Sequence, residues 1–326
     1  MITVDKSSTE KRTSDSLLSV VIPIYQEESH IKNSIKVIEK ILIDNKIVYE
    51  FILVDDGSKD NTWNELKSLS KENEHITIIR LSRNFGKESA LCAGLEYAKG
   101  DMVLVMDADL QHPPEIIPSM VNAWLNEGYD VVDGVKHSRG KENIIYRGCA
   151  KFFYYLIYKS TDVHLGRASD YKLLDRKVVE AWKELPERTI FFRGMSAWVG
   201  FERKEIEFDV ADRIDGKSKW SITRLIRLAI NAITSYTSVP LHFITFLGFI
   251  MFIIALILGV QTLFMKLSGK ASDGFTTVIL LLLIIGSAIM TSLGIIGIYL
   301  TKIYKEVKAR PRYLVSDCIK GGDDKC

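Results

Sequence analysis

The sequence predicts an α/β domain with a mostly parallel sheet, followed by an amphipathic interfacial helix and a two-helix transmembrane hairpin. Three observations predict it. Before Pro240, short apolar runs alternate with segments of helical spacing. From Ser221 to Tyr236, the apolar residues Ile222, Leu225, Ile226, Ala229, Ile230 and Ile233 share one helical face, while Arg224, Arg227 and Asn231 lie elsewhere. After Pro240, two long stretches carry no charge.

The elements follow in order. Leu18 to Ile22 is an apolar run ended by Pro23, the pattern of a buried strand. Ile31, Ile35, Ile38 and Leu42 give helical spacing over Ile31 to Ile43. Phe51 to Val54 is a second strand, stopped by Asp55-Asp56-Gly57, and Asn61 to Leu69 is helical. Ile76 to Leu81 is a third strand, Ser89 to Tyr97 a helix ended by Gly100, and Met102 to Met106 a fourth strand ended by Asp107. Strands alternating with helices imply a parallel sheet with helices on both faces. Ligands of such sheets bind beyond the carboxyl ends of the strands, where the acidic residues fall.

Leu241 to Met265 is 25 residues without charge, and Gly274 to Thr301 is 28. Each exceeds the roughly 20 residues that cross a hydrocarbon core. The segment between them, Lys266 to Asp273, is short and polar and makes the pair a hairpin. Arg224, Arg227, Lys302, Lys305, Lys308, Arg310 and Arg312 flank the outer ends, against Lys266 and Lys270 in the connection. The positive-inside rule then places both termini and the large domain in the cytoplasm. The expected organisation is a leader over 1–16, a folded domain over 17–220, an interfacial helix over 221–239, spans within 240–303 (about 241–265 and 275–301) and a basic tail over 304–326. The leader is polar, has no apolar signal-peptide core, and reads as disordered.

A net charge of +2 over 326 residues argues against a nucleic-acid partner. Cys92, Cys149, Cys318 and Cys326 form no CxxC pair and no cluster with histidine, so they read as reduced thiols.

Asp107-Ala108-Asp109-Leu110-Gln111 leaves the fourth strand. Two carboxylates at i and i+2 can reach one divalent ion, and Gln111 adds a neutral oxygen; hard cations keep positions open for substrate phosphates. The same triplet also serves as a polar turn elsewhere. Asp55 and Asp56 close the second strand and suit ribose hydroxyls or a base N–H, although Gly57, Ser58 and Asp60 also serve turn and cap. Tyr25 and Glu27 close the first strand, offering a ring for a nucleobase and an acceptor for a hydroxyl, or a core aromatic and a helix-start glutamate. Arg213 to Trp220 is a basic loop before the interfacial helix, able to fold over bound phosphates or to remain a solvated charge run. Asn143 to Lys159 interleaves aromatics with Arg147 and Lys151, as a membrane-resting or a core helix would.

These segments together resemble a family 2 glycosyltransferase with a GT-A (Rossmann-like) fold. Residues 107–115, Asn84-Phe85-Gly86-Lys87 and two C-terminal spans resemble its polyisoprenyl-phosphate branch, which includes dolichol-phosphate mannose synthase and bactoprenol glucosyltransferases. The resemblance implies roles by position. Pro23, Tyr25, Glu27 and Asp56 match positions that hold nucleobase and ribose. Asp107, Asp109 and Gln111 match the site of Mg²⁺ or Mn²⁺ and the diphosphate. Asp170 matches an aspartate near the acceptor phosphate that is sometimes proposed as a base. Arg139, Arg193, Arg213 and Lys219 match basic positions around the phosphates, with Ser218 beside them. Asp109, Asp170 and Arg193 are the candidate catalytic residues. Two positions depart from the family: Gln26 stands where Asn is usual, and Lys136 where Arg is common, which weakens bidentate phosphate contact there.

The implied reaction is inverting transfer of a hexose from a UDP-sugar, glucose first and N-acetylglucosamine second, to undecaprenyl or another polyprenyl phosphate. The implied setting is a bacterial inner membrane, with a homo-oligomer such as the tetramer of similar two-span relatives. A processive polysaccharide synthase on the same fold would carry a Gln-x-x-Arg-Trp motif and more spans, and neither is present. A non-catalytic nucleotide-sugar or lipid binder is the alternative from another class.

Overall fold

The computed structural model describes residues 12–136, 169–185, 192, 199–208, 239–268 and 274–322. The chain divides into two compact units: 1–154 with 163–219 and 310–326, and 155–162 with 220–309.

In the first unit, β1 (Leu18–Ile24) pairs in parallel with β2 (Tyr49–Asp55) on one side and β4 (Met102–Val105) on the other. β3 (Ile76–Leu81) continues the parallel run beyond β2. These strands are apolar at nearly every position because both faces are covered. Leu18, Val20, Ile22, Phe51, Leu53, Met102 and Leu104 enter one core, while Val21, Ile52, Val54, Val103 and Val105 enter the other. The period-two alternation of the strand therefore divides one apolar run between two layers.

The first core is closed by α1 (Ile31–Asp44), α2 (Thr62–Glu72) and α4 (Ile117–Leu125). α1 buries Ile31, Ile35, Ile38 and Leu42, the face its spacing predicts. The second core is closed by α3 (Lys87–Tyr97) and α5 (Arg176–Lys183). α3 lies close on β1 because Gly94 has no side chain: a Cβ there would fall 2.2 Å from Val21 Cγ1.

Among the described residues eight strands form one sheet, in the order β7-β5-β6-β4-β1-β2-β3-β8. β5 (Val131–Lys136), β6 (Lys172–Asp175) and β7 (Arg203–Phe208) extend it past β4, with β6 antiparallel to both neighbours and β5 parallel to β7. β8 (Val315–Lys320) runs antiparallel along β3. A basic tail over 304–326 was expected there, and within it the chain is paired to the sheet. Ser82 N donates to Leu314 O, Gly321 N donates to Ile76 O, Arg312 donates to Leu185 O, and Tyr313 bonds Glu96.

The leader also differs from expectation at its end. Arg12 donates to Trp124 O and pairs with Asp130 and Asp175 at 2.7 and 2.9 Å, so the chain is held from Arg12 onward. Cys92 is a buried free thiol as expected, but Cys318 on β8 is disulfide-bonded.

The second unit contains α6 (Val239–Leu267) and α7 (Phe275–Lys308). Windows over Pro240–Gln261 and Ile284–Lys308 have mean hydropathies of 2.9 and 1.8, and no part of either is buried. Both helices are long and apolar enough to cross a membrane, and their exposure sets them apart from core helices of a soluble protein. They meet through Leu247, Gly248 and Met251 facing Ile285, Ala288 and Ile289. The expected interfacial helix over 221–239 and the aromatic segment 143–159 lie outside the described residues, apart from Val239, which begins α6.

Candidate active site

Three strand ends of the first unit, those of β1, β2 and β4, converge on a cavity of about 310 Å³ lined by Pro23, Tyr25, Glu27, Asp56, Lys87, Asp107 and Asp109, among others. The loops after β1 and β2 are tied together by hydroxyls: Gln26 N donates to Ser58 Oγ and Glu27 N to Thr62 Oγ1, both at 3.0 Å. This hold keeps Gln26 at φ 57°, in the left-handed region. Asn enters that region more readily than Gln, which accords with the Asn that the resemblance leads one to expect here. Tyr25 stands 40% exposed at the cavity wall, so its ring is open to a planar ligand.

The two acids at the end of β2, Asp55 in the strand and Asp56 just beyond it, behave differently from the expectation of paired ligand acceptors. Asp55 is fully buried and does not line the cavity. Its Oδ1 accepts from Ser58 N at 3.0 Å, and its Oδ2 lies 3.3 Å from Arg80 Nε, close enough to pair but misaligned for a hydrogen bond. Asp55 thus builds the turn. Asp56 does reach the cavity, but its oxygens accept from Phe85 N and Gly86 N at 2.7 and 2.8 Å. Burial raises its pKa against the lowering effect of those two N–H groups. Gly57, at φ 66°, lets this turn press against the 83–84 backbone: a Cβ there would sit 2.5 Å from Arg83 C.

The turn after β4 is more open. Asp107 and Asp109 line the cavity, and Asp109 Oδ1 accepts from Gln111 N at 3.1 Å. Leu110 between them is held at φ 54°. A bulky residue there is strained, and such strain collects at functional turns. The turn rests on His112, which is buried, stacks on Tyr171 at 4.8 Å and accepts Asp107 N–H at Nδ1. Burial lowers the pKa of His112, which keeps it neutral with its proton on Nε2. Tyr171 is fixed in turn by donating to Pro113 O at 3.1 Å and by the edge of Phe208.

Lys87, the first residue of α3, carries its ammonium between two of the acids, 2.6 Å from Asp107 Oδ1 and 2.8 Å from Asp170 Oδ2. Burial works against its charge, but Asp107 and Asp170 outweigh it and hold its pKa above the ordinary lysine value. Glu27 shows the opposite pressure: burial, then the nearby Asp109, raise its pKa. The cavity is therefore rich in carboxylates and requires cations. Asp107 and Asp109 supply hard oxygen donors, and among the described residues no third acidic, histidine or cysteine ligand joins them. Few protein ligands and a cationic group already drawn to Asp107 fit a Mg²⁺ or Mn²⁺ site that leaves positions for phosphate oxygens.

Beneath Asp170, Lys172 is wholly buried and pairs with Asp133 at 2.6 Å, which pairs in turn with Arg203 at 2.7 Å. Against the pull of burial, Lys172 and Arg203 hold the Asp133 carboxyl below its ordinary range. The network joins β5, β6 and β7 and stiffens the strand that delivers Asp170.

The structure thus brings together Pro23, Tyr25, Glu27, Asp56, Asp107 and Asp109 at one cavity, with Asp170 joined to them through Lys87. It sets Asp55 apart. Gln111 stays at the DxD turn without lining the cavity, and Lys136 ends β5. Arg139, Arg193, Arg213, Ser218 and Lys219 lie outside the described residues. Lys87 and His112 are site residues that the spacing did not single out. The signal for Lys87 was its place just after the glycine that precedes α3, and for His112 its place beside the acidic triplet.

The glycosyl transferase family 2 model matches residues 19–182. An uncharacterised glycosyltransferase of Synechocystis sp. is 42% identical over 92% of this chain and 95% of its own. The SfII prophage-derived bactoprenol glucosyl transferase of Shigella flexneri is 33% identical over 93% of this chain and 99% of its own. A structure of glucosyl-3-phosphoglycerate synthase from Mycobacterium tuberculosis with Mn²⁺, UDP and glucosyl-3-phosphoglycerate aligns over 67% of this chain and 78% of that one, at 21% identity and a TM-score of 0.48. That last likeness is too distant to bear on function.

Proposed function

The chain belongs to glycosyl transferase family 2, and from that premise we propose that it transfers a hexose from a UDP-sugar to undecaprenyl or a related polyprenyl phosphate, with inversion. The observation that carries the acceptor is the extent of the likeness to the Shigella bactoprenol glucosyl transferase. It runs over nearly all of both chains, the two apolar helices included. Glucose is the first expectation for the sugar and N-acetylglucosamine the second.

In this reading Tyr25 stacks on the base and Glu27 accepts from a sugar hydroxyl. Asp107 and Asp109, with Gln111 as a neutral donor, hold a divalent cation. That ion, when bound, neutralises charge on the departing diphosphate. A phosphate oxygen of the lipid forms the new bond to the anomeric carbon while the bond from that carbon to the diphosphate breaks, and UDP leaves. The lipid phosphate is already anionic near neutral pH and needs little help from a base. Asp170 therefore serves to place Lys87 and the acceptor rather than to take a proton. The arginines and lysines of the 139–219 region, Arg193 and Arg213 among them, complete the phosphate site.

We place both termini and the sheet on the cytoplasmic side. Lys and Arg crowd the outer ends of the two spans. The sheet adds a second argument: β7 precedes the helical pair and β8 follows it, yet both belong to one sheet, so the chain crosses an even number of times between them. The disulfide at Cys318 leans the other way, because such bonds persist in oxidising compartments. Thiol labelling of intact and broken cells decides the side.

The transfer itself is tested with the full chain in mild detergent, undecaprenyl phosphate, Mg²⁺ or Mn²⁺ and each common UDP-sugar. Release of UDP that requires both metal and lipid phosphate is the expected result. Absence of such release with every donor defeats the reading.

A further inference from the structure

We infer that Lys87 is a positioning residue that holds the place of the divalent ion: its ammonium engages Asp107 until metal and nucleotide arrive together, and it then turns to the phosphates. The inference rests on the proposed nucleotide–metal site.

Three observations lead to it. The ammonium of Lys87 lies 2.6 Å from Asp107 Oδ1, the carboxylate that the metal needs. A divalent ion on the same carboxylate would place two cations within a few ångströms of each other, so each weakens the hold of the other. Lys87 is also held at its base. It opens α3 directly after Gly86, at φ 101°, whose N–H is fixed by Asp56. The side chain can swing while its backbone stays. Finally, four carboxylates (Glu27, Asp56, Asp107 and Asp109) line the cavity, and among the described residues Lys87 is the cationic side chain that lines it with them. Its charge offsets theirs toward a nucleoside diphosphate before any metal arrives.

The second contact, at 2.8 Å to Asp170, gives the ammonium somewhere to remain when the metal takes Asp107. There it faces the region where donor and acceptor phosphates must meet. Metal without nucleotide has to displace Lys87 and gains nothing in return. Metal with nucleotide displaces it onto a phosphate. The two ligands are therefore coupled through one side chain, and each raises the affinity for the other.

The test is Mn²⁺ binding by the full chain in mild detergent, read from the electron paramagnetic resonance signal of free Mn²⁺, with and without UDP. For wild type, UDP should tighten Mn²⁺ binding by about tenfold or more, and Lys87→Met should tighten Mn²⁺ binding without UDP by about fivefold while shrinking the UDP effect to about twofold. Lys87→Arg keeps the charge and should stay within about twofold of wild type without UDP. A lysine serving only the fold would loosen Mn²⁺ in both states on removal. A Lys87→Met protein that binds Mn²⁺ alone no better than wild type overturns the inference. Should that variant not fold, Lys87→Gln is measured against the same criterion. If wild type binds no Mn²⁺ even with UDP, the metal site itself fails and the inference goes with it. If wild type binds Mn²⁺ normally and only the Lys87 result fails, the proposed function stands.

Discussion

The turns after β2 and β4 each present two aspartates to the same end of the sheet, yet they are built for opposite purposes. At the β2 end, Asp55 is sealed under its turn and Asp56 spends its oxygens on the N–H groups of Phe85 and Gly86. At the β4 end, Asp107 is met by the flexible side chain of Lys87, and Asp109 accepts the local Gln111 N–H. A carboxylate whose partners are backbone amides is part of the frame. One whose partner is a flexible ammonium is available to a ligand. The difference lies in the partners and not in the residue type.

The contrast can be broken by substitution. The largest stability effect is expected at Asp56. Asp56→Ala removes two hydrogen bonds to an ionised acceptor and strands two amides, costing about 3 kcal/mol, or roughly 6–12 °C in apparent Tm for a domain of this size. A loss under about 1 °C would show that the β2 end is not framework. A smaller loss is expected for Asp55→Asn, which keeps the bond from Ser58 N but gives up the pairing with Arg80: about 1 kcal/mol, or roughly 2–4 °C. UDP binding by this variant, followed by calorimetry at a temperature where it is folded, should match wild type, because Asp55 does not line the cavity. A large loss of UDP affinity would return Asp55 to the ligand site. The smallest effect is a gain. Gln26→Asn, at φ 57° beside the same turn, should raise apparent Tm by about 1–2 °C, since Asn tolerates the left-handed region better. A fall in Tm would mean that the Gln26 side chain has a role its backbone does not reveal.

Much of this frame was legible in the sequence, and the exceptions have a common cause. β1 to β4 and α1 to α3 were found because their apolar runs face two cores and their helices bury one stripe. β3 was found to the residue, Ile76 to Leu81. β5, β6 and β7 were not found, because charges sit inside them: Asp133 pairs with both Lys172 and Arg203 across three strands, and no local pattern shows a pair that forms only in the sheet. β8 was read as a tail because Ser316, Asp317 and Lys320 make it polar, as suits an edge strand with one side open. At the site, spacing put Asp107 and Asp109 first and offered Asp55 and Asp56 together as a second pair. What separates them is burial and the amides of a loop some thirty residues away. Lys87 was visible only as part of a motif, since its two carboxylate partners come from β4 and from the turn before β6.

The claim that the β4 end does the chemistry while the β2 end frames it meets its most direct test in Asp109→Asn. The measurement is metal-dependent release of UDP in the presence of polyprenyl phosphate, with apparent Tm recorded on the same preparation. The account predicts turnover lower by about a hundredfold or more, at an apparent Tm within about 2 °C of wild type. Turnover within about twofold of wild type would contradict it.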